Sequence, residues 1–304
     1  MRQPFELSAS DATVLRGWRF DRARFSSGRG GNRAGATLNP HTLLCIPSEL
    51  GNSREYDGFA EQVMALPNGP RRLYLVDLRG RGRSDAGPGG DTTETDTADI
   101  VSLIDGLGLH DVDILVSGRA TTALFPVAKA RPGTIRRLVL NDAAPEFDPV
   151  GIARFTALEQ RASPPATLAD AAAYLQATRG NAFPALSDED WAAWAGAMYR
   201  QDGPRVVPDR DPQLVRYGNM GNFEERQPLL WQDFKLFRRC PTLLLRGAGS
   251  EFLSADISER MEREHGNLRQ VTIPGQGHPL RLHLNGLAEA IAAFLALEHV
   301  EPTA

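Results

Sequence analysis

The strongest constraint on this chain is an alternation of short apolar runs with segments of helical spacing, between residues 41 and 140. In Thr97–Leu109, for example, apolar residues recur at the three- and four-residue intervals of a helix face. The apolar runs are short enough to be buried strands. An order of this kind predicts the α/β class: a mostly parallel sheet with right-handed crossovers and helices on both faces. The four predicted strands are His41–Pro47, Arg72–Asp77, Asp113–Val116 and Arg137–Leu140.

The alternation stops at residue 146 and returns after residue 235. The segment between them is mostly of helical character, and Ser187 is the expected N-cap of one of its helices. A helical insertion between two halves of one sheet predicts a cap over a cleft. We therefore divide the chain into a core, residues 1–145 and 236–304, and a cap, residues 146–235. The predicted elements after the cap are two strands, Thr242–Arg246 and Arg269–Ile273, and a helix at Leu287–Leu297.

Bulk properties exclude several classes of function. The net charge of −4 argues against nucleic acid or an anionic membrane as the main partner, and no apolar run is long enough to span a bilayer. The first ten residues have no apolar stretch typical of a secretory signal, and the two cysteines lie in apolar segments, so we expect a cytoplasmic protein. The glycine- and arginine-rich stretch Ser26–Gly35 is interpreted as a connecting loop. Nothing in the pattern indicates an oligomeric state.

Three motifs carry a resemblance to a known family. The turn Asp77–Ser84 reads DLRGRGRS, the strand Thr242–Gly247 is followed closely by Glu251, and the turn Pro274–Pro279 reads PGQGHP. With these motifs the chain resembles the α/β-hydrolase superfamily, in particular its capped esterase, lactonase and C–C-bond hydrolase members, over about residues 40–298. The resemblance implies the α/β-hydrolase fold. It also implies that Glu251 and His278, 27 residues apart, are the acid and the histidine of a catalytic pair.

The segment after the third predicted strand departs from the family pattern. Hydrolases of this fold place serine, aspartate or cysteine on a tight strand–turn–helix, between small residues. Residues 117–121 read SGRAT here, and the register that fits this pattern best places Arg119 at the nucleophile position. A register on Ser117 or Thr121 would put Arg119 at a position that the tight turn reserves for a small residue. A guanidinium is not a nucleophile near neutral pH because its pKa is above about 12. We therefore expect no serine acyl-enzyme.

The oxyanion hole is also predicted to be altered. The family forms it from the N–H of the residue after the nucleophile, here Ala120, and from the loop after the first parallel strand. That loop contains Ser48 and Glu49, and a carboxylate there would oppose the stabilisation of an oxyanion. Two interpretations stay open: a bidentate ion pair between Glu49 and Arg119, or a Glu49 that points to water.

What remains of the catalytic machinery is a Glu251–His278 dyad, which acts as a general base or is a vestige. Asp142, at the end of the strand RLVLND, is an alternative acid. The other histidines are isolated in sequence, so we predict no metal site, and no motif indicates a cofactor.

Three functions are compatible with these residues. The first is a non-hydrolytic, small-ligand-binding or degenerate hydrolase, a pseudoenzyme, whose carboxylated or anionic ligand pairs with Arg119. The second is a lyase, isomerase or cyclase in which the dyad is the general base and Arg119 stabilises an anion. The third is residual ester or lactone hydrolysis by water that His278 activates.

Overall fold

The computed structural model describes residues 2–22, 39–88, 92–161, 165–214 and 230–297. The strands are β1 (Arg2–Ser8), β2 (Val14–Asp21), β3 (Asn39–Ile46), β4 (Pro70–Asp77), β5 (Val112–Ser117), β6 (Ile135–Asn141), β7 (Tyr199–Asp202), β8 (Arg205–Pro208), β9 (Thr242–Gly247) and β10 (Leu268–Ile273). Eight of them form one sheet in the order β1-β2-β4-β3-β5-β6-β9-β10. Neighbours from β4 to β10 pair in parallel, while β1 and β2 form an antiparallel edge.

The six strands predicted from the apolar runs are all present, with ends within two residues of the prediction. The edge strands β1 and β2 were not predicted, because neither is an apolar run: β1 is mostly exposed, and β2 is mostly only partly buried. The predicted loop at Ser26–Gly35 lies outside the described residues.

The helices pack on both faces of the sheet or lie in the insertion after β6. They are α1 (Asp57–Ala65), α2 (Thr93–Gly106), α3 (Thr121–Leu124), α4 (Val127–Ala130), α5 (Pro149–Arg161), α6 (Leu168–Arg179), α7 (Asp188–Met198), α8 (Ala255–His265) and α9 (Leu287–Ala296). Two short helices, α3 and α4, follow β5 in place of one continuous helix. Pro126 stands between them, where its missing N–H cannot continue the hydrogen-bond ladder.

Successive side chains of the central strands divide the core into two layers. Leu44 and Val116 pack with residues of α2 and α8, whereas Leu43 and Leu115 pack with residues of α1 and α9. Strands buried on both faces read as continuous apolar runs, which is why the sequence indicated them so clearly. The predicted fold class, a mostly parallel sheet covered by helices on both faces, is confirmed.

The glycine-rich turn after β4 is built around buried charges. Gly82 has a φ of +55°, and a Cβ there would lie 2.6 Å from the Asp77 carboxylate. Arg79 is buried against Asp99. Arg81 contacts the Asp96 carboxylate and donates from Nε to the main-chain oxygen of Glu49, in the loop after β3. The motif therefore supports the loop that follows β3.

The segment between β6 and β9 contains helices α5, α6 and α7 and the hairpin β7–β8. The expected N-cap is confirmed: the Ser187 side chain accepts a hydrogen bond from the N–H of Asp190. Trp191 and Trp194 stack in a small core shared with α6. The hairpin was not predicted, and the boundaries 146 and 235 of a separate cap stay a prediction.

Candidate active site

The turn after β5 faces a histidine, and the residue that faces it is Gly118. Gly118 has a φ of +56°, in the left-handed region that glycine adopts without steric cost. A Cβ at residue 118 would lie 2.9 Å from Cε1 and 3.0 Å from Nε2 of His278. In a strand–turn–helix elbow, the residue with a positive φ whose side chain points at the histidine is the one that presents the nucleophile.

The predicted register is therefore wrong by one residue. Gly118, not Arg119, occupies the centre of the turn, and Ala120 takes the small position two residues later. Arg119 is the residue after the centre, so its N–H, not that of Ala120, stands where this fold places the elbow donor of an oxyanion hole. A glycine at the centre offers no side-chain atom to react.

His278 is oriented by Asp142, and both side chains are buried. His278 Nδ1 lies 2.8 Å from Asp142 Oδ2. Asp142 also accepts hydrogen bonds from the Gly247 N–H (2.9 Å) and the Ser250 hydroxyl (2.5 Å), and the ring of Phe252 stacks on the imidazole at 4.0 Å. With a proton on Nδ1 donated to Asp142, Nε2 carries the lone pair and faces Gly118.

Glu251 does not form the predicted dyad with His278. Its exposed carboxylate contacts Arg154 at 2.8 Å instead. The preceding residue, Ser250, turns inward to Asp142, which leaves Glu251 on the outer side of the turn. The carboxylate beside His278 belongs to Asp142, the alternative considered from the sequence.

Glu49 reaches the centre of the turn from the loop after β3. Its Oε2 accepts a hydrogen bond from the Arg119 N–H at 3.1 Å. The same Oε2 lies 3.0 Å from the point that a Cβ on Gly118 would occupy. Glu49 thus contacts Arg119 at the main-chain N–H, where the sequence left open an ion pair with the guanidinium or a side chain that points to water. A carboxylate therefore occupies the N–H at the position where this fold places the elbow donor of an oxyanion hole.

The loop that carries Glu49 is held from both sides. The Glu49 main-chain oxygen accepts from Arg81 Nε at 2.8 Å. Ser48 donates from its hydroxyl and its N–H to the buried carboxylate of Glu55, at 2.5 Å and 3.3 Å. Burial raises the pKa of Glu55 above its ordinary value, and the hydrogen bonds from Ser48 oppose this shift. These contacts hold the main chain of the loop on both sides of the Glu49 side chain.

The nearby hydroxyl and thiol groups that could replace a missing nucleophile are hydrogen-bonded to other groups or buried in the core. Ser117 Oγ lies 2.8 Å from both the Tyr56 hydroxyl and the Asn141 amide nitrogen. Thr121 donates to main-chain oxygens of the turn and of residue 144. Cys45 is buried in the core, and burial raises the pKa of its thiol well above the ordinary value. None of these side chains is presented to His278.

Within the described ranges, no group of three or more histidine, cysteine or acidic residues is placed to hold a metal ion. In the same residues, no helix combines the length and apolar character that a membrane span requires.

Comparison with known proteins identifies the fold independently. A model of the alpha/beta hydrolase family matches residues 43–293. The 3-hydroxybutyrate-oligomer hydrolase of Cupriavidus necator is 26% identical over 253 residues, which cover 80% of this chain and 84% of that protein. An alpha/beta hydrolase from Novosphingobium aromaticivorans superposes with a TM-score of 0.79 at 24% identity, over 97% of this chain and 98% of that one. E-2-(acetamidomethylene)succinate hydrolase superposes with a TM-score of 0.74 at 16% identity, over 98% of this chain and all of that one. The two superpositions establish likeness of fold.

Proposed function

Because this chain belongs to the alpha/beta hydrolase family, we propose that it binds a small molecule at the Asp142–His278 centre without forming a serine acyl-enzyme. One observation carries the proposal: the residue at the centre of the elbow is Gly118, whose missing side chain would have pointed at His278. Covalent catalysis of this kind needs an oxygen or sulfur nucleophile within reach of the histidine.

The position of Glu49 supports the same proposal. In acyl transfer, the elbow N–H stabilises the oxyanion of the substrate, and loss of one such donor costs about 3–4 kcal/mol of transition-state stabilisation. Here the Arg119 N–H is already bonded to Glu49 Oε2. A substrate carbonyl would have to displace this carboxylate, and the oxyanion would form beside a negative charge.

The charges at the centre also determine which kind of ligand group can lie next to His278. A carboxylated or anionic ligand was expected on the basis of Arg119 at the turn centre. With Gly118 there and with Glu49 and Asp142 close to His278, an uncharged group next to Nε2 is favoured, because like charges at short range repel. An acidic group elsewhere on the ligand stays compatible with this arrangement.

A second candidate function is hydrolysis of an ester or lactone by water that His278 activates. The buried contact between His278 and Asp142 favours it, because a carboxylate partner orients the imidazole as a general base. The relative from Cupriavidus necator is named a 3-hydroxybutyrate-oligomer hydrolase, so a linear dimer of 3-hydroxybutyrate is a reasonable first probe. A lyase, isomerase or cyclase would use the same histidine as its base.

The test compares four proteins: the wild type and the variants His278→Ala, Gly118→Ser and Gly118→Ser/Glu49→Ala. Each is assayed with short aryl esters and the 3-hydroxybutyrate dimer, and each is treated with a fluorophosphonate that labels activated serines. We expect no label on the wild type and a gain of label in the double variant, in which the hydroxyl is supplied and the oxyanion hole is vacated. Glu251→Ala is the matched control, since this carboxylate is exposed. A label on any serine of the wild type that is lost in His278→Ala would refute the proposal.

A further inference from the structure

Arg281, between β10 and α9, is a buried cation outside the Asp142–His278 centre. The residue is only 5% exposed, yet its guanidinium makes no hydrogen bond and no ion pair within the part of the chain that the structure describes. None of its nitrogens is among the fully enclosed polar atoms that lack a partner, so each still reaches open space. Because a buried charge is costly unless a group of opposite charge compensates it, the open N–H groups of Arg281 favour an anionic ligand.

We infer that Arg281 binds the carboxylate of the ligand, which is then a small monocarboxylic acid with an uncharged group next to His278. The inference rests on the proposed binding of a small molecule at the Asp142–His278 centre. A guanidinium presents its N–H groups in a planar fork that matches a carboxylate through two parallel hydrogen bonds. The role that the sequence suggested for Arg119, pairing with a carboxylated ligand, is thereby assigned to a different arginine.

The two acids that face Arg281 are bonded to other groups. Burial lowers the pKa of Arg281, and the charges of Glu55 and Asp190 oppose this shift, so both carboxylates lie near the guanidinium. Glu55 accepts the two hydrogen bonds from the hydroxyl and the N–H of Ser48. Asp190 completes the capping box of α7 and contacts His283 Nε2 at 3.1 Å. Neither carboxylate forms an ion pair with Arg281, so both leave its N–H groups available.

The position of Arg281 is fixed before a ligand binds. Its main-chain N–H donates to Gln276 Oε1 at 2.6 Å, and its main-chain oxygen accepts from Gln276 Nε2 at 3.3 Å. Its guanidinium carbon lies 4.9 Å from the centre of the Trp194 ring, in α7. A ring face attracts a cation but offers no carboxylate or carbonyl oxygen to its N–H groups. A guanidinium held in this way loses little freedom when a carboxylate binds, which favours affinity.

Arg281 is close enough to His278 for one small ligand to contact both. The two residues are three positions apart, so their Cα atoms are separated by at most about 11 Å. Burial raises the pKa of Glu55, and of the charges near this carboxylate Arg281 lowers the pKa and Glu49 raises it. Glu49 Oε2 and His278 Nε2 in turn both lie 3.0 Å from the Cβ position of residue 118. One molecule can therefore place its carboxylate at Arg281 and its uncharged group at His278.

Arg179 is the matched control, because it approaches the same ring but has a carboxylate partner in the protein. Its guanidinium carbon lies 5.7 Å from the centre of the Trp194 ring, and its Nη2 contacts Glu159 Oε1 at 2.9 Å. Glu159 keeps a second partner, Arg210, when Arg179 is replaced.

The first experiment measures the urea midpoint of unfolding of the protein without ligand. We expect Arg281→Met to unfold at a higher urea concentration than Arg179→Met, because only the second substitution breaks an ion pair of the protein. A midpoint for Arg281→Met at or below that of Arg179→Met would show that Arg281 is a structural cation, and this result overturns the inference.

The second experiment measures binding by calorimetry with two matched pairs of probes: the linear 3-hydroxybutyrate dimer with its primary amide, and octanoate with octanamide. In the wild type and in Arg179→Met, we expect at least one acid to bind about tenfold or more tightly than its amide, because a carboxylate forms charge-assisted hydrogen bonds with the guanidinium. In Arg281→Met, acid and amide should bind equally. Absence of the preference in the wild type, its survival in Arg281→Met or its equal loss in Arg179→Met overturns the inference.

Failure of the inference is distinguishable from failure of the proposed function. The fluorophosphonate test for an activated serine involves neither Arg281 nor the carboxylate of a ligand. If no acid is preferred and no serine is labelled, the role of Arg281 is overturned and the proposed function stands. A serine label on the wild type that is lost in His278→Ala overturns the proposed function, whatever the preference for acids.

Discussion

The two halves of the candidate active site differ in how they are held. The histidine half joins the end of β6 to the turns after β9 and β10, and its acid, Asp142, accepts hydrogen bonds from His278, Gly247 and Ser250. The elbow half joins the end of β5 to the loop after β3. There Glu49 lies beside Gly118 and accepts a hydrogen bond from the Arg119 N–H. The first half is a network of buried partners, whereas the second depends on one backbone donor and one partly exposed side chain.

The difference shows which half can change without loss of the fold. Removal of a group from a buried network leaves its partners unsatisfied, which costs far more than the mean value of a hydrogen bond. Removal of a side chain from the elbow leaves a glycine that tolerates the turn geometry better than any other residue. The elbow half can therefore be rebuilt while the histidine half retains its structure.

The largest effect is expected when the histidine half is broken. Asp142→Ala should lower the free energy of unfolding by about 3–5 kcal/mol, because it leaves three donors, two of them buried, without their acceptor. Urea unfolding followed by circular dichroism measures this change. Glu251→Ala, in an exposed ion pair on the same turn, should change the free energy by less than about 0.5 kcal/mol. Equal losses in the two variants would show that the network around Asp142 does not stabilise this half.

A histidine without a carboxylate partner offers a contrast to His278. The ring of His265 contacts the Thr242 hydroxyl and the Asn267 N–H, and burial lowers the pKa of this residue to about 4. The unfolded chain binds a proton below about pH 6.5 and the folded protein does not, so stability falls as the pH decreases from about 6.5 to 4. Over this pH range we expect the free energy of unfolding of His265→Gln to fall less than that of the wild type, by on the order of 2 kcal/mol.

The measurement is the pH dependence of urea unfolding between pH 4 and 7 for the wild type and His265→Gln. The variant should have the flatter profile, whatever its stability at pH 7. Parallel profiles would mean that His265 gains its proton equally readily in both states.

The smallest effect is expected at the elbow. Gly118→Ala should lower the free energy of unfolding by about 1–2 kcal/mol, because alanine is strained at a positive φ and its Cβ would press on His278 and Glu49. Gly133→Ala is a suitable control, since Gly133 has a φ of +76° with nothing within 4 Å of a Cβ. The control isolates the backbone strain, and the remaining loss in Gly118→Ala measures the contact at the site. A Gly118→Ala variant as stable as Gly133→Ala would contradict the close approach of His278 and Glu49 to residue 118.

The fold was largely predictable from the sequence because its signals are local. The central strands are buried on both faces and read as apolar runs, and the histidine lies in a short turn motif next to β10. The site was predictable only in part. The motif around Ser250 and Glu251 indicated an acid in that turn, but it is Ser250 that turns inward, toward the carboxylate of Asp142. At the elbow, residue types favoured Arg119 because a glycine carries no chemistry that a pattern can detect.

The sequence by itself determined the α/β class, the position of His278 after the last strand and the unusual residues of the elbow, since periodicity and short motifs depend on near neighbours. The tertiary structure decided which carboxylate meets His278, which residue of the elbow faces it and where Glu49 lies. Asp142 and His278 are 136 residues apart, and Glu49 and Arg119 are 70 apart. Such pairs meet only because parallel strands bring their carboxyl ends to one edge of the sheet. At that edge, a shift of one residue in a turn changes which side chain faces the histidine.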